Sequence, residues 1–344
     1  MIRIGVAGLG GMGTVHARNA LSTEGAQLVA VASTRRDRAR EVAVELGVRA
    51  CSYEELCSAD DVDAVVVAAR SVDHAAVGRE VLRSGKHLFL EKPGATTLAG
   101  HDALQADAAA RPGVVVQVGY QRRFDPPFVE ASRLVSSGAI GEPLLVLATS
   151  RDTRTPEPED PRPAGGFLLD MASHDYDAAC WFLRQEPVEV YAVRQSTVYP
   201  ELVELGDLDN ATVTIRFDGG GIATTHVSRT CAFGHDIRME VVGSEGSVLV
   251  GGVGQGDVVA LTARDRPAFP QDYRERFVHA YRSELASFVA ACAGDGPKGP
   301  GLREDRRAVA IGIAARASAL ESAPLQVGPD WPWPSQPVDP PTPG

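Results

Sequence analysis

The sequence predicts an α/β protein: an N-terminal doubly wound parallel sheet, then an α+β domain with an open, mostly antiparallel sheet. Three observations carry this. Residues 1–120 alternate short, near-continuous apolar runs with helical patterns, the texture of parallel strands buried on both faces. The first run ends in a glycine-rich turn that opens a helix. After about residue 121 the runs become alternating polar and apolar segments joined by glycine turns, which read as antiparallel hairpins.

The predicted strands of the first domain are Ile2–Ala7, Leu28–Ala32, Ala64–Ala68, His87–Leu90 and Val114–Val118, with helical stretches such as Arg36–Leu46 and Asp73–Ser84 between them. The second domain, 121–327, holds one hairpin from Asn210–Phe217 and Ile222–Ser228, turning at Gly219-Gly220-Gly221. Another is made by Met239–Val242 and Ser247–Val250. Helices over Tyr273–Ala293 and Leu302–Ser322 close it. Residues 328–344 form a Pro-rich tail that cannot make regular structure, although its two tryptophans suit docking on a surface.

Composition narrows the function. A chain of 344 residues suffices for two cores, and 44% apolar with 23% charged residues is ordinary for a globular protein. The net charge of −11 argues against nucleic-acid or acidic-membrane partners, and no apolar run is long enough to span a bilayer. The start MIRIGVAGLG enters a strand at once, without signal-peptide layout. Five scattered cysteines with no CxxC suggest buried thiols in a reduced, cytoplasmic setting, and no residue spacing suggests a metal site.

Gly8, Gly10 and Gly13 of GLGGMG match G-x-G-x-x-G after a strand and before a helix. Glycines there let the backbone, including Gly11 and Met12, approach a pyrophosphate seated on the helix N-terminus. A merely tight strand-to-helix turn is the plain alternative. The acid that usually ends the second strand and binds the ribose hydroxyls of NAD is missing. Ser33 stands there, 20 residues past Gly13, followed by Thr34, Arg35 and Arg36. A carboxylate would repel a 2′-phosphate, whereas serine and arginine can bind one, so NADP(H) is expected in preference to NAD(H). Against this, RRDRAR also reads as the solvated start of a helix.

The stretch LLDMASHDYDAACWFL, Leu168–Leu183, sets charges inside an apolar run. At helical spacing Asp170, His174, Asp177 and Trp181 share one face. Lys92, in FLEKPG, ends the fifth strand, at the crevice where such sheets bind ligands.

With GLGGMGTVHA at the start, EKP at 91–93 and QVGYQRRFDPPF at 117–128, the sequence resembles the Gfo/Idh/MocA oxidoreductase family over nearly its whole length, the tail excepted. HAYRSELASFVAAC and SALESAPLQV are also similar to that family. SRDTRTPEP at 150–158, GGFLLDMASHDYD at 165–177 and SRTCAFGHDIRMEVVGSEG at 228–246 look most like its inositol 2-dehydrogenases. The resemblance implies an N-terminal Rossmann domain and hydride transfer between a nicotinamide and a ring hydroxyl of a cyclic polyol. It implies a catalytic trio of Lys92, Asp170 and His174, and a cis Lys92–Pro93 bond. His174 would be the general base, Asp170 would orient its imidazole, and Lys92 would favour the developing alkoxide. A helix N-cap is the bland alternative for Asp170. Asp175 and Asp177 are left to bind backbone, pair with an arginine or face solvent. Cofactor contacts implied by the resemblance extend to Ala69, Arg70, His74, Glu91, Lys92, Pro93 and Gln121.

Two departures bear on specificity. Ala69-Arg70-Ser71 replaces the family's Thr-Pro-Asn, leaving Arg70 to touch substrate, phosphate or solvent. Phe233-Gly234-His235-Asp236 replaces Y-G-Y-D, so His235 stands where a tyrosine lines the substrate pocket. Arg151 and Asp152 join Lys92, Asp170, His174 and His235 as substrate-contact candidates, with a surface ion pair as their alternative. Other readings are a sugar ketoreductase of an amino- or deoxysugar pathway and a non-catalytic nucleotide sensor, which should lack Lys92 or His174. Redox-assisted glycoside cleavage draws on no specific residue. An open sheet with apolar residues on its face predicts a homodimer or homotetramer.

Overall fold

The computed structural model describes residues 1–153, 165–252, 261–262, 264, 268–296 and 298–328. The tail from 329 on, and part of the 150–158 stretch, lie outside the described residues. In chain order the first elements are β1 (Ile2–Ala7), α1 (Gly11–Ser22), β2 (Ala26–Ala32), α2 (Arg36–Leu46), β3 (Arg49–Cys51) and α3 (Tyr53–Ser58). β4 (Ala64–Val67), α4 (Ser71–Arg83), β5 (His87–Glu91), α5 (Leu98–Ala109) and β6 (Val116–Gly119) follow. Then come α6 (Pro126–Ser136), β7 (Pro143–Thr153), α7 (Phe167–Asp170), α8 (Ser173–Leu183) and β8 (Pro187–Gln195). β9 (Asn210–Phe217), β10 (Ile222–Cys231), β11 (Asp236–Gly243) and β12 (Ser247–Val250) lead to α9 (Tyr273–Arg276), α10 (Val278–Ala293), α11 (Leu302–Glu321) and β13 (Leu325–Gln326).

The chain divides into two compact units. Met1–Phe124 and His279–Val309 make the first; Asp125–Val278 and the described residues from Ala310 on make the second. A contiguous reading of the sequence puts residues 279–309 with the second domain, but most of α10 and the start of α11 pack into the first. Leu285, Phe288 and Val289 of α10 complete an apolar cluster with Ile4, Val6 and Phe89. Those residues are wholly or almost wholly buried, as burial of apolar area requires.

The first unit is built on a six-stranded parallel sheet of order β3-β2-β1-β4-β5-β6. The order reverses between β1 and β4, so the glycine loop after β1 sits at the topological switch point, where such sheets bind ligands. β3, only three residues long, was not legible as a strand.

The second unit holds a seven-stranded sheet of order β12-β11-β7-β10-β9-β8-β13. Every pairing is antiparallel except β10 with β7. That single parallel contact makes the sheet mixed, and arises because β7, eleven residues long, inserts between β10 and β11. α8 packs on one face of this sheet through β7. The other face exposes Leu147, Tyr191, Val193 and Ile222. The predicted helix over Tyr273–Ala293 breaks at Phe277, which leaves helical geometry at φ −113°. None of the five cysteines is in a disulfide. Among the described residues no helix is long and apolar enough to cross a membrane.

Candidate active site

In the first unit the loop Gly8–Gly10 leads from β1 into α1. Gly8 has φ +97°, and a Cβ there would meet the Ala68 carbonyl oxygen at 2.3 Å. A Cβ on Gly13 would lie 1.8 Å from the Gly8 carbonyl oxygen. Both positions therefore require glycine. Gly10 differs: nothing lies within 4 Å of its would-be Cβ, and it faces open space with Gly11 exposed and Met12 half-buried beside it. The first turn of α1 carries no acid and no side-chain cap. Its backbone N–H groups are thus available to an anion, which fits a dinucleotide pyrophosphate.

Ser33 follows β2 and opens a cleft of about 500 Å³ with Thr34, Arg36, Arg40, Tyr53, Glu54 and Glu55. Ser33 is half-buried, whereas Thr34, Arg35 and Arg36 are exposed. Ser33 Oγ accepts from the Arg35 N–H at 3.3 Å. Among the described residues neither Arg35 nor Arg36 has an ion-pair partner. Glu55 is engaged in a capping box with Ser52 at the start of α3.

The Lys92–Pro93 peptide bond after β5 is cis. Lys92 itself is half-buried. Its backbone N–H donates to Glu91 Oε2 at 3.2 Å. Around it the turn is held from several sides. His74, buried on α4, places Nδ1 2.8 Å from the Pro93 carbonyl and Nε2 3.0 Å from the Ala69 carbonyl. It braces the loops after β4 and β5. Asp305 of α11, fully buried, accepts from the Gly94 N–H at 2.8 Å, His101 Nε2 at 2.6 Å and the Tyr120 hydroxyl at 2.7 Å. Gln121 is buried in a short 3-10 helix after β6. Arg70 points to solvent and pairs with Asp73 at 2.8 Å, a solvated ion pair at the start of α4.

In the second unit Asp170 ends α7 and His174 lies in the first turn of α8, so the single continuous helix expected across them is broken at Met171–Ala172. Asp170, His174 and Trp181 are nonetheless the partly exposed positions of an otherwise buried stretch. Asp170 is not the N-cap of α8; Ala172 holds that place. The turn before α7 is fixed by Asp207, which accepts from the Phe167 N–H and from Arg229 Nη2, each at 3.0 Å. Burial pushes the Asp207 carboxyl up from its ordinary range despite the Arg229 charge. Of its expected roles, Asp175 does not take the solvent-facing one. Fully inside, it accepts from Ser150 Oγ at 2.8 Å and Thr225 Oγ1 at 2.9 Å, tying α8 to β7 and β10. Asp177 is buried rather than facing solvent.

The wall residues separate. Ser150 faces α8 through Asp175, so its neighbour Arg151 turns to the opposite face of the sheet. There Arg151 donates to Asp236 Oδ2 at 3.1 Å and to His226 Nδ1 at 3.3 Å. Arg238 grips the same Asp236 with two bonds, at 2.7 and 2.8 Å. Burial, then the Arg151 charge, lowers the His226 pKa. Asp152, one residue on, returns to the α8 side and meets His235 Nδ1 at 2.7 Å. His235 is buried, its Nε2 has no hydrogen-bond partner among the described residues, and its ring is edge-on to Phe277 at 6.1 Å. Arg151 and Asp152 are thus in separate pairs on separate faces. Asp207, Arg229 and Asp305 had no signal in sequence, because their partners lie 22 to 211 positions away.

Comparison with known proteins matches this architecture unit by unit. Residues 2–120 match the oxidoreductase family model with an NAD-binding Rossmann fold, and residues 128–249 the GFO/IDH/MocA C-terminal domain. The chain is 34% identical to scyllo-inositol 2-dehydrogenase (NAD(+)) of Bacillus subtilis, covering 95% of this chain and 96% of the relative. It is 33% identical to myo-inositol 2-dehydrogenase of Thermotoga maritima, over 95% and 98%. The crystal structure of scyllo-inositol dehydrogenase from Lactobacillus casei with bound NAD(H) and scyllo-inositol superposes with a TM-score of 0.85 at 26% identity, covering 95% of this chain and 99% of that one. With both of its domain models matched and identity sustained along the chain, this protein belongs to the GFO/IDH/MocA family of oxidoreductases.

Proposed function

We propose that the protein transfers hydride between a nicotinamide and a ring hydroxyl or ketone of an inositol or related cyclic polyol, with NADP(H) preferred. The observation that carries the polyol reading is a chain with Lys92, Asp170 and His174 at its motif positions that is 34% identical, over 95% of its length, to a scyllo-inositol 2-dehydrogenase. The glycine loop, with its open Gly10 and uncapped α1, fits the dinucleotide. When bound, the nicotinamide takes up the hydride.

The chain's own residues handle the proton and the charge. His174 accepts the hydroxyl proton, since imidazole titrates near neutral pH. Asp170 favours the charged imidazole. Lys92, on its buttressed turn, offers positive charge to the developing alkoxide. NADP(H) preference rests on Ser33 in place of an acid and on Arg35 and Arg36, which have no ion-pair partner among the described residues. Rates of absorbance change at 340 nm with NADP⁺ and NAD⁺ across inositol isomers and hexoses test both parts. Turnover of an inositol that is faster with NADP⁺ is expected; tighter use of NAD⁺ refutes the nucleotide half.

One observation favours a second substrate class. The pair of buried His235 with half-exposed Asp152 stands where a tyrosine is expected at the pocket wall, and an imidazole there would favour a different hydroxyl pattern. Activity confined to keto-sugars with NADPH would select the ketoreductase reading. The exposed Leu147, Tyr191, Val193 and Ile222 on the open sheet face support assembly with a second copy of the chain.

A further inference from the structure

Behind the Lys-Pro turn, inside the first unit, three ionisable groups meet in an apolar setting. His16 of α1, Glu91 of β5 and Glu284 of α10 offer ligand-capable atoms that all lie within 4.8 Å of one another. His16 and Glu284 are completely buried and Glu91 is 7% exposed. The surroundings are aromatic: Phe89 and Tyr281 pack on the His16 ring at 5.0 and 6.3 Å, and Phe288 packs on Phe89. Two unneutralised carboxylates cannot share such a place.

Hydrogen-bond donors are divided unequally between the two acids. Glu91 accepts from His16 Nε2 at 2.6 Å and from the Lys92 N–H at 3.2 Å. Its carboxyl group rests on Gly119 of β6, where a Cβ would stand 3.2 Å from it, so the strand is shaped to admit it. Glu284 has no donor for either oxygen among the described residues, and the Gln117 side-chain amide donates to its backbone carbonyl instead. The groups facing the cluster are His16 on α1, His74 on α4, Glu91 and Lys92 at the end of β5, and Tyr281 on α10 itself.

We propose that Glu284 is a neutral carboxylic acid standing beside an ionised Glu91, and that this pairing, with His16, positions the turn that carries Lys92. The proton on Glu284 limits the cluster to one carboxylate charge, and that charge stays on the residue bonded to the Lys92 backbone. Burial, then the Glu91 charge, raises the Glu284 carboxyl well above its usual range. Burial alone would raise Glu91 too, but the bond from His16 and the charges of His16, Lys92 and His74 hold it low. A divalent cation is the competing occupant. It would have to displace the proton that already joins His16 to Glu91 across 2.6 Å.

The functional half rests on the role given to Lys92 above, so the test begins with readouts that do not need it. On the nucleotide-free full chain at neutral pH, infrared spectra of Glu284→Gln and Glu91→Gln are compared with the parent. Loss of a protonated-carboxyl band in Glu284→Gln alone is expected. Its loss in Glu91→Gln instead, or no loss in either, overturns the proposal. So does elemental analysis finding a bound divalent ion that Glu284→Gln releases. With an accepted polyol, Glu284→Gln should shift the alkaline limb of the kcat profile, because its amide cannot ionise beneath Lys92. An equal loss of rate at every pH would mark Glu284 as packing only and overturn the positioning role. If no polyol is turned over, the spectra still decide the protonation state.

Discussion

On the proposed reading of the Ser33 cleft, replacing Ser33 with Asp and Arg36 with Ala should swing nucleotide preference toward NADH. Arg36 is exposed and has no ion-pair partner among the described residues, so nothing internal competes with a 2′-phosphate for its guanidinium. A charge-assisted hydrogen bond is worth about 1.5–3 kcal/mol, and exposure puts this one near the lower end, about tenfold in NADPH affinity. Ser33→Asp adds a carboxylate to the same cleft, where Glu54 and Glu55 already stand. Like charges about 5 Å apart repel by about 0.8 kcal/mol in water and about 3 kcal/mol at a protein surface, and a value near 1.5 kcal/mol suits this open cleft. The same carboxylate gains about 1 kcal/mol from the free ribose hydroxyls of NADH. The double variant should therefore swing the NADPH/NADH affinity ratio by about 4 kcal/mol, roughly a thousandfold. Fluorescence titration of both nucleotides, at two salt concentrations, measures it. A ratio within twofold of the parent in Arg36→Ala, or a parent that already binds NADH better, would refute the electrostatic reasoning.

Other outcomes follow from the same structure. His174→Ala should lower kcat by about 10²–10⁴-fold with little change in nucleotide Kd, as removal of a general base does; near-parental turnover would remove it from that role. Asp175→Ala should destabilise the chain by about 3 kcal/mol, because the Ser150 and Thr225 hydroxyls lose a buried acceptor, and urea unfolding reads this directly. Glu284, its folded pKa raised, contributes stability that is complete below the ordinary Glu range and is lost as pH rises toward the folded value. The parent should thus lose about 1.4 kcal/mol per pH unit in that window from this group, and Glu284→Gln should show a flatter curve of melting temperature against pH. Val193→Glu, on the exposed sheet face, should shift gel-filtration elution to a smaller species without unfolding the chain.

What the sequence displays and what it hides divide along a physical line. The glycine loop and the apolar strands β1, β2, β4 and β5 were legible because sterics and burial act on neighbouring residues there. The charges of 168–183 showed as an anomaly, but the link that Asp175 makes between α8 and two strands did not. Asp175 has its acceptor role only because Ser150 and Thr225, 25 and 50 positions away, arrive on adjacent strands. Arg151 and Asp152 read alike as neighbours, but strand pleating sends them to opposite faces. Asp305 and Glu284 were invisible, since what they hold in place was laid down about 200 residues earlier.

The return of α10 and the start of α11 to the first unit interleaves the two units along the chain, so the Rossmann unit is completed by a segment that comes after most of the second. A fragment ending at residue 124 would lack Asp305, leaving the Gly94 N–H, His101 and Tyr120 without their shared acceptor. It would also open the flank of the core that Leu285 and Phe288 seal. Transplanting this dinucleotide module into another protein therefore requires both of its chain segments. A graft that joins Phe124 to His279 through a short linker is the minimal piece that carries the module whole.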